Sequence, residues 1–125
     1  MRIFIVEDDE NRIKIFKEKF EHIEEAQLYI ARTASEGIKI LDENKDLSPW
    51  DMIFLDHDLG GRVYVESADH NTGWQVARYI KRKNIKYYNA ITHSLNSVGA
   101  KHIQEELEGC NAIPFSTLRT MDFSY

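Results

Sequence analysis

The 125 residues suffice for a single domain, 1–125, that buries roughly two-thirds of the surface its unfolded chain exposes. A formal net charge of -5 and a pI near 5.5 exclude the basic footprint of a protein that binds duplex DNA nonspecifically. No apolar stretch approaches ~20 residues and the chain opens directly on a strand pattern, so neither a membrane span nor a secretory signal is expected. The lone Cys110 has no internal disulfide partner, which fits a reducing cytoplasm.

Arg2 to Val6 is a β-branched and aromatic run that stops at Glu7-Asp8-Asp9, the pattern of a buried strand ending in acid. Asn11 is placed to cap a helix in which Ile13, Phe16, Phe20 and Ile23 recur at helical spacing, with Lys14, Lys17, Lys19 and Glu21 outside the stripe. A short strand over Gln27 to Ala31 follows. Ser35 then precedes a helix carrying Ile38 and Leu41, which fades into a polar turn from Asp42 to Ser48, and Pro49 keeps that turn from extending the helix.

Met52-Ile53-Phe54-Leu55 is apolar without alternation, as in a central strand covered on both faces. It runs straight into Asp56-His57-Asp58 and the pair Gly60-Gly61. From Gly60 to Thr72 the loop has about thirteen residues, longer than the roughly two to six usual for such a connection. Within it Arg62 to Glu66 alternates as a small hairpin arm would, and Asp69-His70-Asn71 supplies polar groups near the exit. Thr72 opens a helix with Gly73, Val76, Ala77 and Ile80 inward and Lys81-Arg82-Lys83 at its C-terminus, where cations suit the helix dipole. Tyr87 to Thr92 reads as a fourth strand delivering His93-Ser94, and Ser94 or Asn96 caps a helix that runs to about Leu107. Gly109 ends it, Cys110 to Ile113 makes a short fifth strand, and Pro114-Phe115 turns the chain away.

Strands alternating with helices predict a doubly wound α/β sheet, in which ligands gather outside the carboxyl ends of the strands. Three strands end in chemistry: Asp8 and Asp9, then Asp56 to Asp58, then His93 and Ser94. Hydrophobic burial gives no reason for that convergence. Two like charges ~4 Å apart repel by roughly 4 kcal/mol at an effective dielectric of ~20, so Asp8, Asp9, Asp56 and Asp58 at one edge require a bound cation or a protonated acid. Oxygen ligands alone suit Mg2+ or Ca2+, whereas imidazole from His57 or His93 shifts the preference toward Mn2+, Fe2+ or Zn2+. On an extended backbone Asp56 and Asp58 point one way and His57 the other; an early turn at Gly60-Gly61 would relieve that restriction.

With these residues in view, the chain resembles the receiver domain of two-component response regulators. The matching pieces are Ile5-Val6-Glu7-Asp8-Asp9, Ile53-Phe54-Leu55-Asp56 and a hydroxyl residue ending the fourth strand. The resemblance implies a five-stranded parallel sheet of order 2-1-3-4-5, a divalent metal held by Asp8 or Asp9 with Asp56, and Asp56 as phosphoacceptor. Three departures stand out. Ile113 precedes Pro114 where a receiver carries a lysine, His57 and His93 occupy positions where a receiver rarely has histidine, and the last helix is cut to a stub. Those departures are similar to the cyclic-phosphate processing receiver domains, whose marks are Leu55-Asp56-His57-Asp58-Leu59-Gly60 and His93-Ser94-Leu95-Asn96 with Gly99 beyond.

That resemblance implies metal-assisted processing of a cyclic phosphate, with 2',3'-cyclic ends of RNA or nucleotides as the substrate class. Asp8, Asp9 and Asp56 then hold the metal, Mg2+ foremost and Mn2+, Fe2+ or Zn2+ as alternatives. His93 gives or takes the proton, Ser94 holds a phosphate oxygen, and His57 or His70 is the second acid-base group, oriented by Asp58. Ser94, Asn96, His70 and Trp74 make up the substrate-binding set, Trp74 by stacking a base. Two other readings compete: a receiver that signals by phosphorylation of Asp56, which the missing lysine at Ile113 counts against, and a module that binds cyclic phosphates without turning them over. The expected partner is a cyclic-phosphate nucleotide or RNA end rather than a membrane or duplex DNA. The shortened C-terminus uncovers apolar surface beside the first strand, to be covered by Phe115, Leu118, Met121, Phe123 and Tyr125 or by the second subunit of a homodimer.

Overall fold

Two apolar layers hold the chain, one on each face of a five-stranded parallel sheet. The computed structural model describes every residue except Val63, Ser124 and Tyr125. The strands are β1 (Arg2–Val6), β2 (Gln27–Ala31), β3 (Trp50–Leu55), β4 (Tyr87–Thr92) and β5 (Asn111–Ala112), in the order β2-β1-β3-β4-β5. Helices α1 (Glu10–Phe20), α2 (Ala34–Glu43), α3 (Gly73–Arg82) and α4 (Ser97–Glu106) make the crossovers, and α5 (Phe115–Leu118) is a single turn. The doubly wound order 2-1-3-4-5 and the curtailed last helix are as expected.

Strand alternation divides the core. Phe4, Val6, Ile53, Leu55 and Ala90 face Leu41, Val76, Ala77, Ile80 and Ile103 of α2, α3 and α4. Ile3, Ile5, Met52, Phe54 and Ile91 face Phe16 and Phe20 of α1 with Phe115 and Leu118 of α5. Phe123 completes that second layer, its ring 5.7 Å from both Phe20 and Phe54. The chain's own tail therefore covers the surface a full last helix would have covered; Met121 stays exposed, and Tyr125 lies outside the described residues.

Four local expectations are corrected. Asp9, not Asn11, caps α1, its carboxylate accepting the Arg12 amide at 3.0 Å. Thr33 rather than Ser35 begins α2, accepting the Glu36 amide at 3.1 Å. In both cases the acceptor lies three residues before the amide it bonds, the reach an N-cap requires. Residues 62 and 64–66 belong to no strand, because the Tyr64 and Val65 amides bond the Asp58 carboxylate at 2.6 and 3.1 Å and are lost to any hairpin ladder; Val63 lies outside the described residues. The fifth strand keeps only Asn111 and Ala112.

Candidate functional site

Register builds the site. Val6 lies opposite Leu55, and Leu55 opposite Thr92. The ladder runs one residue further: the Glu7 amide donates to the Ala31 carbonyl at 2.9 Å, that of Asp56 to Val6 at 3.0 Å, and that of His93 to Leu55 at 3.2 Å. Glu7, Asp56 and His93 are thus neighbours at the carboxyl edge of the three central strands. Each keeps the phase of Ile5, Phe54 and Ile91, so all three project toward the α1 and α5 face. Their exposures are 0, 5 and 0%.

Burying such groups is costly unless they compensate one another. His93 Nε2 lies 2.9 Å from Glu7 Oε1, and Glu7 Oε2 accepts the amides of Asp8 and Asp9 at 3.0 and 3.1 Å. Burial works against the ionised form of Glu7, but the hydrogen bond and charge of His93, the Asp9 amide and Arg12 together hold it below the usual carboxylate range. Asp56 goes the other way. Burial first, and then the charge of Glu7, push it up to about 8 in spite of Arg12. The Arg12 guanidinium is 3.6 Å from Glu7 and 3.9 Å from Asp56, and it sits 5.0 Å from the centre of the Phe115 ring. His93 packs edge-on against Phe16 at 5.2 Å, and its buried Nδ1 has no hydrogen-bond partner among the described residues.

Above this trio lies a cleft of about 340 Å³, walled by Asp8, Asp9, Asp58, Gly61, Arg62, Ser94 and Leu95 and floored by Glu7, Arg12 and Asp56. One ligand atom from each of Glu7, Asp56 and His93 lies within 4.8 Å of the others. Two carboxylates and an imidazole suit a divalent ion, and a cation there would relieve the repulsion that raises Asp56. The residues fit a metal, and the imidazole favours Mn2+, Fe2+ or Zn2+ over Mg2+.

The other expected site residues divide. Asp8 and Asp9 wall the cleft but stand outside that trio: Asp8 accepts the Gly61 amide at 2.6 Å, and Asp9 caps α1. Ser94 lines the cleft, its hydroxyl accepting the Asn96 amide at 3.0 Å. Asn96 caps α4 and reaches back to Asp58 at 3.1 Å. His57 has the opposite strand phase to Asp56 and is fully buried against α4, bonded to Asp58 and Ser67 at 2.7 Å each. A Cβ on Gly99 would come within 2.3 Å of its ring, so only glycine lets the helix approach so closely. Asp58 is opposed by partial burial, yet hydrogen bonds from His57, Asn96 and the Tyr64 and Val65 amides hold it below its ordinary range. His70 lies exposed on the loop, and Trp74 packs against the α2/α3/α4 core with the Arg78 guanidinium over it at 4.8 Å; neither lines the cleft.

Two residues of the site lie outside the set expected from sequence. Glu7 is legible in principle, since it has the phase of Ile3 and Ile5. Arg12 lies four residues before Phe16, the spacing that stacks side chains along one helix face, and so arrives over the sheet edge.

Residues 1–109 match the family model for the Cyclic-phosphate processing Receiver domain. Among curated protein sequences none matches. Several solved structures share the fold. The response regulator TrrA of Thermotoga maritima, in complex with Mg2+-BeF, is 19% identical with a TM-score of 0.64, over 90% of this chain and 84% of that one. The Mn2+-bound response regulator Rcp1 is 21% identical with a TM-score of 0.63, over 90% and 79%. The phosphorylated cyanobacterial phytochrome response regulator RcpA is 22% identical with a TM-score of 0.63, again over 90% and 79%.

Proposed function

The chain belongs to the cyclic-phosphate processing receiver domain family, and from that premise we propose that it is a metal-assisted phosphoesterase for cyclic phosphates, of the kind found at 2',3'-cyclic RNA ends and nucleotides. The observation that carries the reading is the buried trio Glu7, Asp56 and His93 beneath a cleft that also holds Arg12. A divalent metal held by the trio would supply Lewis-acid polarisation of a phosphoryl oxygen. The chain's own groups do the rest. Arg12 presents a planar cation suited to two phosphate oxygens. Ser94 offers a hydroxyl on the opposite wall, and Arg62, braced by Asp69 at 3.2 Å, adds a second positive charge at the rim. His93, fully buried beneath the cleft floor, would serve as a ligand of that metal and fix Glu7 through their hydrogen bond at 2.9 Å. Asp58 clamps the loop through the Tyr64 and Val65 amides and keeps the rim in place.

One observation favours a second reading, in which Asp56 receives a phosphoryl group. The charge that Ile113 fails to supply comes instead from Arg12, whose guanidinium reaches Asp56 from α1 and rests on Phe115, two residues beyond Ile113. A pair of incubations separates the readings. With a 2',3'-cyclic nucleotide and Mn2+, the phosphoesterase opens the ring catalytically and His93→Ala does not. With acetyl phosphate, a receiver gains one phosphoryl group at Asp56, visible by intact mass. Phosphorylation without ring opening would replace the first reading by the second.

A further inference from the structure

Asp58, a wall of the cleft, also begins a hydrogen-bonded line that leads away from it through His57 to Ser67, neither of which lines the cleft. Asp58 Oδ1 lies 2.7 Å from His57 Nδ1, His57 Nε2 lies 2.7 Å from Ser67 Oγ, and Ser67 Oγ lies 2.6 Å from His102 Nδ1 on α4. Donor counting orders the protons. Both oxygens of Asp58 already accept N–H groups, from Tyr64 on one side and from Val65 and Asn96 on the other, so the carboxylate acts as acceptor for His57 Nδ1–H. In the neutral ring Nε2 then accepts the Ser67 hydroxyl proton. Having donated its one proton, Ser67 Oγ accepts from His102 Nδ1–H and keeps one lone pair free.

The line is held rigidly. His57 is wedged against Gly99, and Tyr64 adopts a left-handed backbone, φ 53, on the turn whose amides grip Asp58. Strained backbone of this kind persists where the surroundings over-determine it. Ser67, half-buried, opens on a depression of about 260 Å³ walled by Tyr64, Val65, Glu66, Asn96, Val98 and His102, none of which lines the cleft over Asp56. Tyr64 and Val98, 75% and 63% exposed, put apolar surface on the rim beside the exposed Glu66. Another wall is the start of α4, where Val98 has no helical carbonyl for its amide.

We propose that Ser67 is a nucleophile, with His57 as its base and Asp58 as the positioning residue, and that this second depression takes small uncharged carboxylic esters. Ser67 Oγ adds to the ester carbonyl carbon while its proton passes to His57 Nε2. The bond to the alcohol oxygen breaks, and the alcohol leaves with that proton. Water then attacks the acyl-serine by the same route, releasing the acid and restoring the serine. The Val98 amide, at the start of α4, would donate to the carbonyl oxygen as it becomes negative. The activity needs no metal.

The test uses a fluorophosphonate, which forms a Ser67 Oγ–P bond and loses fluoride. The full chain is labelled in EDTA and the adduct located by peptide mass spectrometry. One adduct per chain at Ser67 is expected, absent in Ser67→Ala, and formed about 100-fold or more slowly in Asp58→Asn, where the imidazole tautomer is no longer fixed. A variant-free control is the urea-unfolded chain, which has the serine but not the line; labelling there should fall by a similar factor. No adduct, an adduct at Ser94 or elsewhere that persists in Ser67→Ala, or equal rates for the folded and unfolded chain would overturn the proposal. Because the assay excludes metal and cyclic phosphate, its outcome is independent of the phosphoesterase reading.

Discussion

Replacing Asp56 by asparagine should stabilise the metal-free protein at pH 8 and leave it unchanged near pH 4. Asp56 is 5% exposed, and burial with the adjacent charge of Glu7 raises its carboxyl from 3.8 to about 8. Between those values the folded chain keeps a proton that the unfolded chain has lost. Stability therefore falls as pH rises through the window and levels off above about 8. Glu7, held low, contributes stability that is lost only as pH falls through its own lowered value, so the neutral range belongs to Asp56. At about 1.4 kcal/mol per pH unit the window spans on the order of 5 kcal/mol. Water entering the open cleft and Arg12 moving closer should leave about 2 kcal/mol of it. Asparagine has nearly the same shape and no charge to lose. Urea denaturation in EDTA at pH 4, 6 and 8 measures the difference, which should grow from near zero to about 2 kcal/mol in favour of the variant. Saturating Mn2+ should reverse the order, because a ligand at about 100 times its Kd adds roughly 2.7 kcal/mol to the chain that binds it. A difference that does not change with pH, or a variant less stable at pH 8, would mean that Asp56 does not carry an extra proton in the folded chain.

Arg12→Ala should weaken inorganic phosphate binding by about 10- to 100-fold, the value of a charge-assisted hydrogen bond, with Arg12→Lys in between; calorimetric titration showing less than a twofold change would remove Arg12 from the site. Gly99→Ala should lose about 3 kcal/mol or more, since its Cβ meets the buried His57 ring at 2.3 Å and neither can retreat. Gly61→Ala, with φ +71 and nothing within 4 Å, should lose only about 1 kcal/mol, and thermal melts of the two will rank them. Ending the chain after Pro114 removes Phe115, Leu118 and Phe123 from Phe16, Phe20 and Phe54; the truncated protein should bind a hydrophobic dye or self-associate, whereas the full chain should sediment as a monomer.

Much of the fold is legible in the sequence because β periodicity and helix spacing are local signals. The strands, their alternation with helices and the delivery of Asp56 and His93 to strand ends can all be read from runs of apolar residues and the polar groups that end them. The caps slip by two residues, because Asp9 and Asn11, or Thr33 and Ser35, are equally good capping types and only backbone geometry chooses between them. The hairpin arm fails for a tertiary reason: Asp58 takes the amides that a ladder would need. The site is shifted by its neighbours. Asp8 and Asp9 stand out as an acid pair, yet Glu7 has the strand phase that points into the cluster. Arg12 carries no motif at all, and its role depends on Phe115, more than a hundred residues away in sequence. The alternation of an extended chain already separates His57 from Asp56 in the sequence, and no early turn undoes it: His57 stays buried on the α4 face.

The most direct measurement is chromatographic separation of products after a 2',3'-cyclic nucleotide is incubated with the protein and Mn2+, Mg2+ or Zn2+ in turn, alongside Glu7→Gln and His93→Ala. A ring-opened phosphomonoester should accumulate over many turnovers, fastest with an ion that accepts imidazole, and should be lost in both variants. An intact cyclic phosphate with every ion, or equal turnover in the variants, would contradict the phosphoesterase reading.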